Sequence, residues 1–182
     1  MATEPIPEGT SRQDELYQEA AASYGPALER LARGYEVDRD RQRDLLQEIH
    51  LALWQSFAGF DGRCSVRTWV YRVAHNVAAS HVIRDHRVNS RTLVGLDLLD
   101  TLPFGNDSER ALDRHHTLEK LLRLIQQLKP LDRQVILSYL EGMDAASIGD
   151  ITGISSGNVA TKVHRIKNIL ARRFHEGGSH GE

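Results

Sequence analysis

The chain has 182 residues, 40% hydrophobic and 26% charged, with a net charge of −2. That length suits one domain or two small ones, the apolar content suits a packed core, and no apolar run approaches the roughly 18 residues a membrane helix needs. The single cysteine, Cys64, excludes an internal disulfide and a multi-cysteine zinc site, and the acidic N-terminus MATEPIPEGTSRQDE has no apolar stretch for a signal peptide, so the expected compartment is the cytoplasm.

The first eleven residues are rich in Pro, Glu and Gly and are expected to be disordered. Helical spacing begins with Leu16, Ala20 and Tyr24 and resumes with Leu28, Leu31, Ala32 and Tyr35, which predicts two helical segments meeting at Gly25-Pro26. A helix follows over Asp40 to Phe57: Leu45, Ile49, Leu53 and Phe57 are four apart, and Leu46 and Trp54 widen the stripe. Ala58 to Arg63 reads as a loop. The next helix runs from about Ser65 to Arg87, with Trp69, Val70, Val73, Ala74 and Val77 as its buried face and Arg67, Arg72, His75, Asn76 and Arg84 off that stripe. Residues 88–113 read as a linker. Periodicity returns at Leu118, Leu121, Leu122, Ile125 and Leu128; Lys129-Pro130 ends that helix and starts another, Leu131 to Glu141, closed by Gly142. Asp144 suits the N-cap of a short helix to Thr152. Residues 176–182 form a polar tail. No strand-type alternation occurs, so the expected fold class is all-α with two small helical domains, residues 12–87 and 114–175.

The stretch Ile151–Arg173, ITGISSGNVATKVHRIKNILARR, has the form of a turn and a DNA-reading helix. Gly153 stands where the turn needs positive φ, and Ser155 or Ser156 can cap the helix. Val159, Val163, Ile166, Ile169 and Leu170 recur at helical spacing, while Lys162, Arg165, Lys167, Arg172 and Arg173 meet no acidic residue. Ser155, Ser156, Asn158, Thr161, Lys162 and Arg165 are the candidates to reach DNA, and Asn158 can pair with adenine; Arg172 and Arg173 suit phosphate or solvent. The bland alternative is a helical hairpin with basic residues for solubility.

A second basic segment spans residues 61–92, with six basic and two acidic side chains. In FDGRCSVRTWVYRVAHNVAASHVIRDHR, basic and aromatic residues interleave on one helix, a surface that can hold a single strand. Arg63, Arg67, Tyr71, Arg72, His75, Asn76 and Arg84 are its candidates, against core packing for Trp69 and a solvated face for the rest. A third pattern, DLLQEIHLALW, sets Asp44, Gln47, Glu48 and His50 off the apolar stripe: a solvated face or a protein-docking face. His75, His81 and His86 are six and five apart, which does not set metal ligands on one helical face. No catalytic or phosphate-cradling motif occurs, so no enzyme activity, metal or cofactor is expected.

Together DLLQEIHLALW, F-x-G-x-x-S-x-x-TW-x-YRVAHN, LIQQLKPLDRQVILSYLEGM and GISSGNVATKVHRIKNIL resemble bacterial RNA polymerase sigma factors of the extracytoplasmic-function type, in order and spacing. The resemblance covers roughly residues 12–175. It implies two domains, regions 2 and 4. The helix bearing Asp44, Gln47, Glu48, Leu51 and Trp54 would dock on core RNA polymerase; the Phe60–Val66 loop and following helix would capture and melt the −10 promoter element; the helix-turn-helix would read the −35 element as duplex. It also implies an anti-sigma factor as a partner, and no membrane insertion. Three positions depart from the family pattern: Ser147 leaves a capping box incomplete, Gly149 replaces the usual Ala at about 1 kcal/mol, and Asn158 replaces Thr in the recognition helix. The first two predict a weak short helix before the turn.

The promoter elements lie on the order of 60 Å apart. A linker of this length stretches to roughly 85 Å and averages nearer 30 Å relaxed. Free protein can therefore collapse into a compact form that hides its DNA surfaces. The competing function is a helix-turn-helix regulator acting as a dimer on duplex DNA, which would bind DNA without polymerase.

Overall fold

The computed structural model describes residues 12–89 and 114–176. The expected disordered N-terminus, most of the linker and most of the tail lie outside the described residues. The described residues hold seven α-helices and no β-strand: α1 (Arg12–Tyr35), α2 (Arg39–Phe57), α3 (Val66–Asn89), α4 (Arg114–Gln127), α5 (Pro130–Leu140), α6 (Ala145–Thr152) and α7 (Ser156–Glu176). None is long and apolar enough to cross a membrane.

Helices α1, α2 and α3 pack together as one unit. Asp38 caps α2, its carboxylate accepting from the Asp40 and Arg41 amides at 3.0 and 2.9 Å, which satisfies two of the donors orphaned at a helix start. The stripe Leu45, Ile49, Leu53 and Phe57 is buried as its spacing predicts. It packs against Leu28 and Leu31 of α1 and Val70, Ala74 and Ala78 of α3; each such aliphatic burial is worth about 1.5–3 kcal/mol.

One expectation fails at α1. It is a single helix with Pro26 inside it, not two segments. An interior proline costs about 3 kcal/mol in isolation, but α1 packs along both α2 and α3, which offsets that loss. Gly25, with no Cβ, also relieves the clash that a proline imposes on the residue before it.

The second unit is α4 to α7. Pro130 opens α5 at a position where its missing N–H costs nothing. Helix α5 is buried along every residue from Asp132 to Ser138, because α7 and α6 cover one side and α1 and α3 the other. It is the seam of the molecule, and it explains why Arg133, Gln134 and Ser138 are buried despite their polarity. The Arg133 guanidinium donates to the carbonyls of Tyr35 (3.3 Å), Leu128 (3.1 Å) and Gln126 and lies over the Tyr35 ring at 5.3 Å. Burial lowers its pKa to about 10, which leaves it charged at neutral pH.

Candidate nucleic-acid interface

Helices α6 and α7 form the turn and second helix of a helix-turn-helix. Asp144 caps α6 by accepting from the Ser147 amide at 2.8 Å. Gly153 adopts φ 77°, and its amide closes the helix by donating to the Gly149 carbonyl at 2.8 Å. Of the two candidate caps, Ser155 fills the role: its Oγ accepts from the Asn158 amide at 3.3 Å. Val159, Val163, Ile166, Ile169 and Leu170 form the buried face of α7. Ser155, Ser156, Asn158, Thr161 and Arg165 are exposed along the opposite side.

Three residues of this element depart from their expected roles. Lys162 turns inward and pairs with the buried Asp132 of α5 at 2.7 Å, so it braces α7 in this arrangement. Arg173, expected at phosphate or solvent, is 4% exposed, because the last turns of α7 still pack on their own unit. Gly149, expected to weaken α6, is closely approached at the turn: a Cβ there would stand 2.8 Å from the Ile154 carbonyl oxygen. In this chain the turn brings Ile154 so near α6 that the alanine usual in the family would require the turn to shift.

On α3 the candidates divide. Asn76, Arg67 and Arg84 are exposed, as is Arg63 in the preceding loop. Arg63 pairs with Asp61, and Arg84 donates to Glu48 of α2 at 2.6 Å. His75, read as lying off the buried stripe, is 0% exposed, and Tyr71, a candidate for the −10 strand, is 2% exposed. Helix α3 is sandwiched: α1 and α2 cover one face, and α5 and α6 cover a second that the periodicity of α3 alone does not reveal. Trp69, a candidate core residue, is half-buried against Phe60 and donates to Ser56 at 2.9 Å.

The second face of α3 touches the second unit through polar contacts. His75 has Tyr35 Oη 3.0 Å from Nδ1 and Ser138 Oγ 2.9 Å from Nε2, so either neutral tautomer is satisfied by two hydroxyls. Burial pushes its pKa down to about 3. Gln134 donates to the His75 carbonyl at 3.3 Å, Arg72 to the Asp150 carbonyl at 2.8 Å, and Arg67 to the Glu141 carbonyl at 2.7 Å. The Tyr71 hydroxyl donates to the Glu141 carboxylate at 3.2 Å; burial, with that carboxylate beside it, raises the phenol to about 12.

Helix α2 carries the third surface. Asp44, Gln47, Leu51 and Trp54 are exposed and Glu48 is half-exposed, on the side opposite Leu45, Ile49 and Leu53. Leu51 is 57% and Trp54 41% exposed, although the Trp54 indole donates to Asp14 at 2.8 Å. The described residues hold no cluster of metal-ligating side chains.

Residues given no role in the sequence reading cluster at the seam: Arg30, Gly34, Arg133, Gln134 and Ser138, beside Tyr35, read only as part of an apolar stripe, and Glu141, read only as a helix end. The one signal for those on α5 is the polar run inside a helix otherwise apolar enough to be core, DRQ before VILS.

With this geometry in view, the family model for Sigma-70 region 2 matches residues 20–88 and that for Sigma-70 region 4 matches residues 118–170. The chain is 24% identical over 141 residues to the extracytoplasmic-function sigma factor SigX of Bacillus subtilis, covering 75% of this chain and 72% of that one. It is 24% identical over 172 residues to the sigma factor CnrH of Cupriavidus metallidurans, covering 90% and 89%. Among solved structures, CnrH in complex with the cytosolic domain of CnrY superposes with a TM-score of 0.59 at 21% identity, over 86% of this chain and 85% of that one. RpoE of Bartonella quintana in complex with the anti-sigma factor NepR gives 0.66 at 18%, over 87% and 96%; these two establish the shared fold. The two region matches in order, the relatives along most of the chain and the all-α architecture agree: the chain belongs to the sigma-70 family, as a sigma factor of the extracytoplasmic-function type.

Proposed function

We propose that this sigma factor binds core RNA polymerase through α2 and directs it to promoters by gripping DNA at two points. Region 2 occupies residues 12–87 and region 4 residues 114–175. Asp44, Gln47, Glu48, Leu51 and Trp54 form the docking face. Arg63, Arg67, Tyr71, Arg72, His75, Asn76 and Arg84 serve the −10 strand, and Ser155, Ser156, Asn158, Thr161 and Arg165 the −35 duplex, with Lys162 joining them if it leaves Asp132.

The observation that carries this reading is the exposed face of α2. Leu51, 57% exposed, and Trp54, 41% exposed and held by Asp14, lie among acidic and amide side chains, a composition suited to a protein partner and unsuited to phosphate. A dimeric regulator on duplex DNA has no use for such a surface beside a separate strand-trapping helix. The protein does no chemistry in this reading and works in the cytoplasm. Two relatives were solved bound to CnrY and to the anti-sigma factor NepR, and an anti-sigma factor is the partner expected to silence this chain.

Run-off transcription with purified core polymerase on a genomic library tests the function. Discrete start sites that depend on the added chain are expected. Transcription independent of the chain, with tight duplex binding by a dimer without polymerase, contradicts it.

A further inference from the structure

Asn158, Lys162 and Arg165 follow one another by four and three residues on α7, so one face of the recognition helix carries all three. Asn158 and Arg165 are exposed there, whereas Lys162 is half-buried. The Lys162 ammonium donates to Asp132 Oδ1 of α5 at 2.7 Å. A cation thus stands in the DNA-facing row with its charge already matched from within the protein.

We infer that Asp132 is a positioning residue that holds Lys162 as a phosphate otherwise would, so that region 4 engages duplex with one cation fewer than its sequence offers. The inference rests on the −35 reading of α7.

Asp132 is well placed for that role. It lies in the first turn of α5, which opens at Lys129 without a side-chain cap, and unpaired amides and the helix dipole favour a carboxylate there. The Asp132 side chain is 9% exposed, and a carboxylate so far buried calls for a cation. Lys162, 31% exposed in its side chain, supplies it. Val159, Val163 and Ile166 meanwhile seat α7 by apolar burial. Lys162 can therefore change partner by rotating its own flexible stem, with no movement of either helix.

The consequence is electrostatic. Each phosphate that a cation neutralises adds about 0.9 to the slope of log affinity against log salt. A lysine on phosphate adds that affinity without sequence information. With Lys162 tied to Asp132, this indiscriminate contribution is withheld, and the exposed Asn158, Thr161 and Arg165 carry a larger share of the grip.

Holoenzyme assembled from core polymerase and the full chain tests this. Affinity is measured across a salt series for two duplexes: a promoter fragment whose start site run-off transcription has mapped, and the same fragment with its −35 element scrambled. Asp132→Asn should tighten binding to both by about fivefold or more near 0.1 M salt and steepen the salt slope by about one. Lys162→Gln in that background should remove both gains, whereas in the parent it should flatten the slope by much less than one. Asp132→Glu, which keeps the carboxylate, should stay near the parent. A merely structural Asp132 predicts the opposite sign, weaker binding in Asp132→Asn. Unchanged or weaker binding by folded Asp132→Asn overturns the inference. A gain confined to the intact −35 element also overturns it, by placing Lys162 on a base edge. Should Asp132→Asn fail to fold, Lys162→Gln in the parent decides alone: a full unit of slope lost means that Lys162 already holds a phosphate, and a much smaller loss supports the pairing. Arg165→Ala separates this inference from the reading beneath it: the −35 reading stands if that variant loses discrimination between the two duplexes, and falls if discrimination is kept.

Discussion

The His75 imidazole and the Ser138 hydroxyl, 63 residues apart in sequence, lie 2.9 Å from one another across the seam between regions 2 and 4. The groups facing the imidazole are the Tyr35 hydroxyl from α1, the Tyr71 ring from its own helix, and the Ser138 hydroxyl from α5; Gln134 donates to the His75 backbone carbonyl instead. The Arg133 guanidinium lies over the Tyr35 ring. A second positive charge beside them is unwelcome.

A pH dependence follows from the depressed pKa of about 3. The unfolded imidazole titrates near 6.5, so below that pH the unfolded chain binds more protons than the folded one. Stability is complete above about pH 6.5 and falls toward pH 3 by up to about 1.4 kcal/mol per unit. His50, also lowered by burial, contributes in the same direction. The difference between parent and His75→Gln therefore isolates His75. Urea midpoints measured from about pH 7 to 5 should fall less steeply in the variant; equal slopes would place the sensitivity elsewhere.

Gly149→Ala is expected to destabilise the protein by about 1–3 kcal/mol, the usual cost of overpacking, despite the roughly 1 kcal/mol that alanine contributes within a helix. The obstacle is the Ile154 backbone carbonyl, which cannot swing away as a side-chain tip can. Thermal or urea unfolding gives the sign directly, and a gain in stability would mean the turn relaxes freely.

Lys162 and Arg165 should behave differently. Lys162→Ala leaves the Asp132 carboxylate, 9% exposed in its side chain, without its cation. A loss of about 1–3 kcal/mol is expected, below that of a fully buried pair because Lys162 is partly solvated. Arg165→Ala, at an exposed position, should cost at most about 1 kcal/mol while weakening the −35 footprint. Equal stability losses, or an unaltered footprint for Arg165→Ala, would count against these assignments.

Much of this arrangement is legible in the sequence. The stripe at Leu45, Ile49, Leu53 and Phe57, the cap at Asp144 and the positive-φ turn at Gly153 are local signals, and each appears where its spacing places it. What is not legible is the seam. His75 looks solvent-facing because α1 and α2 already satisfy the apolar stripe of α3; its burial depends on α5, about sixty residues later. Nothing in the sequence marks Arg133 as buried, because its partners are backbone carbonyls, which carry no sequence signature. Pro26 reads as a break because propensity cannot weigh the packing of α1 on both sides.

For the docking face, Leu51→Glu should lower affinity for core polymerase by about tenfold or more while leaving the unfolding midpoint nearly unchanged, since Leu51 is 57% exposed and central apolar anchors dominate interfaces. Competition against a labelled sigma factor reads this. Undiminished affinity would move the docking surface off α2.

The two-point grip itself is tested most directly by permanganate reactivity of −10 thymines in complexes of core polymerase with the full chain. In the parent, the −10 region should be reactive and the −35 region protected. Arg72→Ala with Asn76→Ala should abolish most of the reactivity while the −35 footprint persists. Reactivity equal to the parent in that double variant would contradict the account.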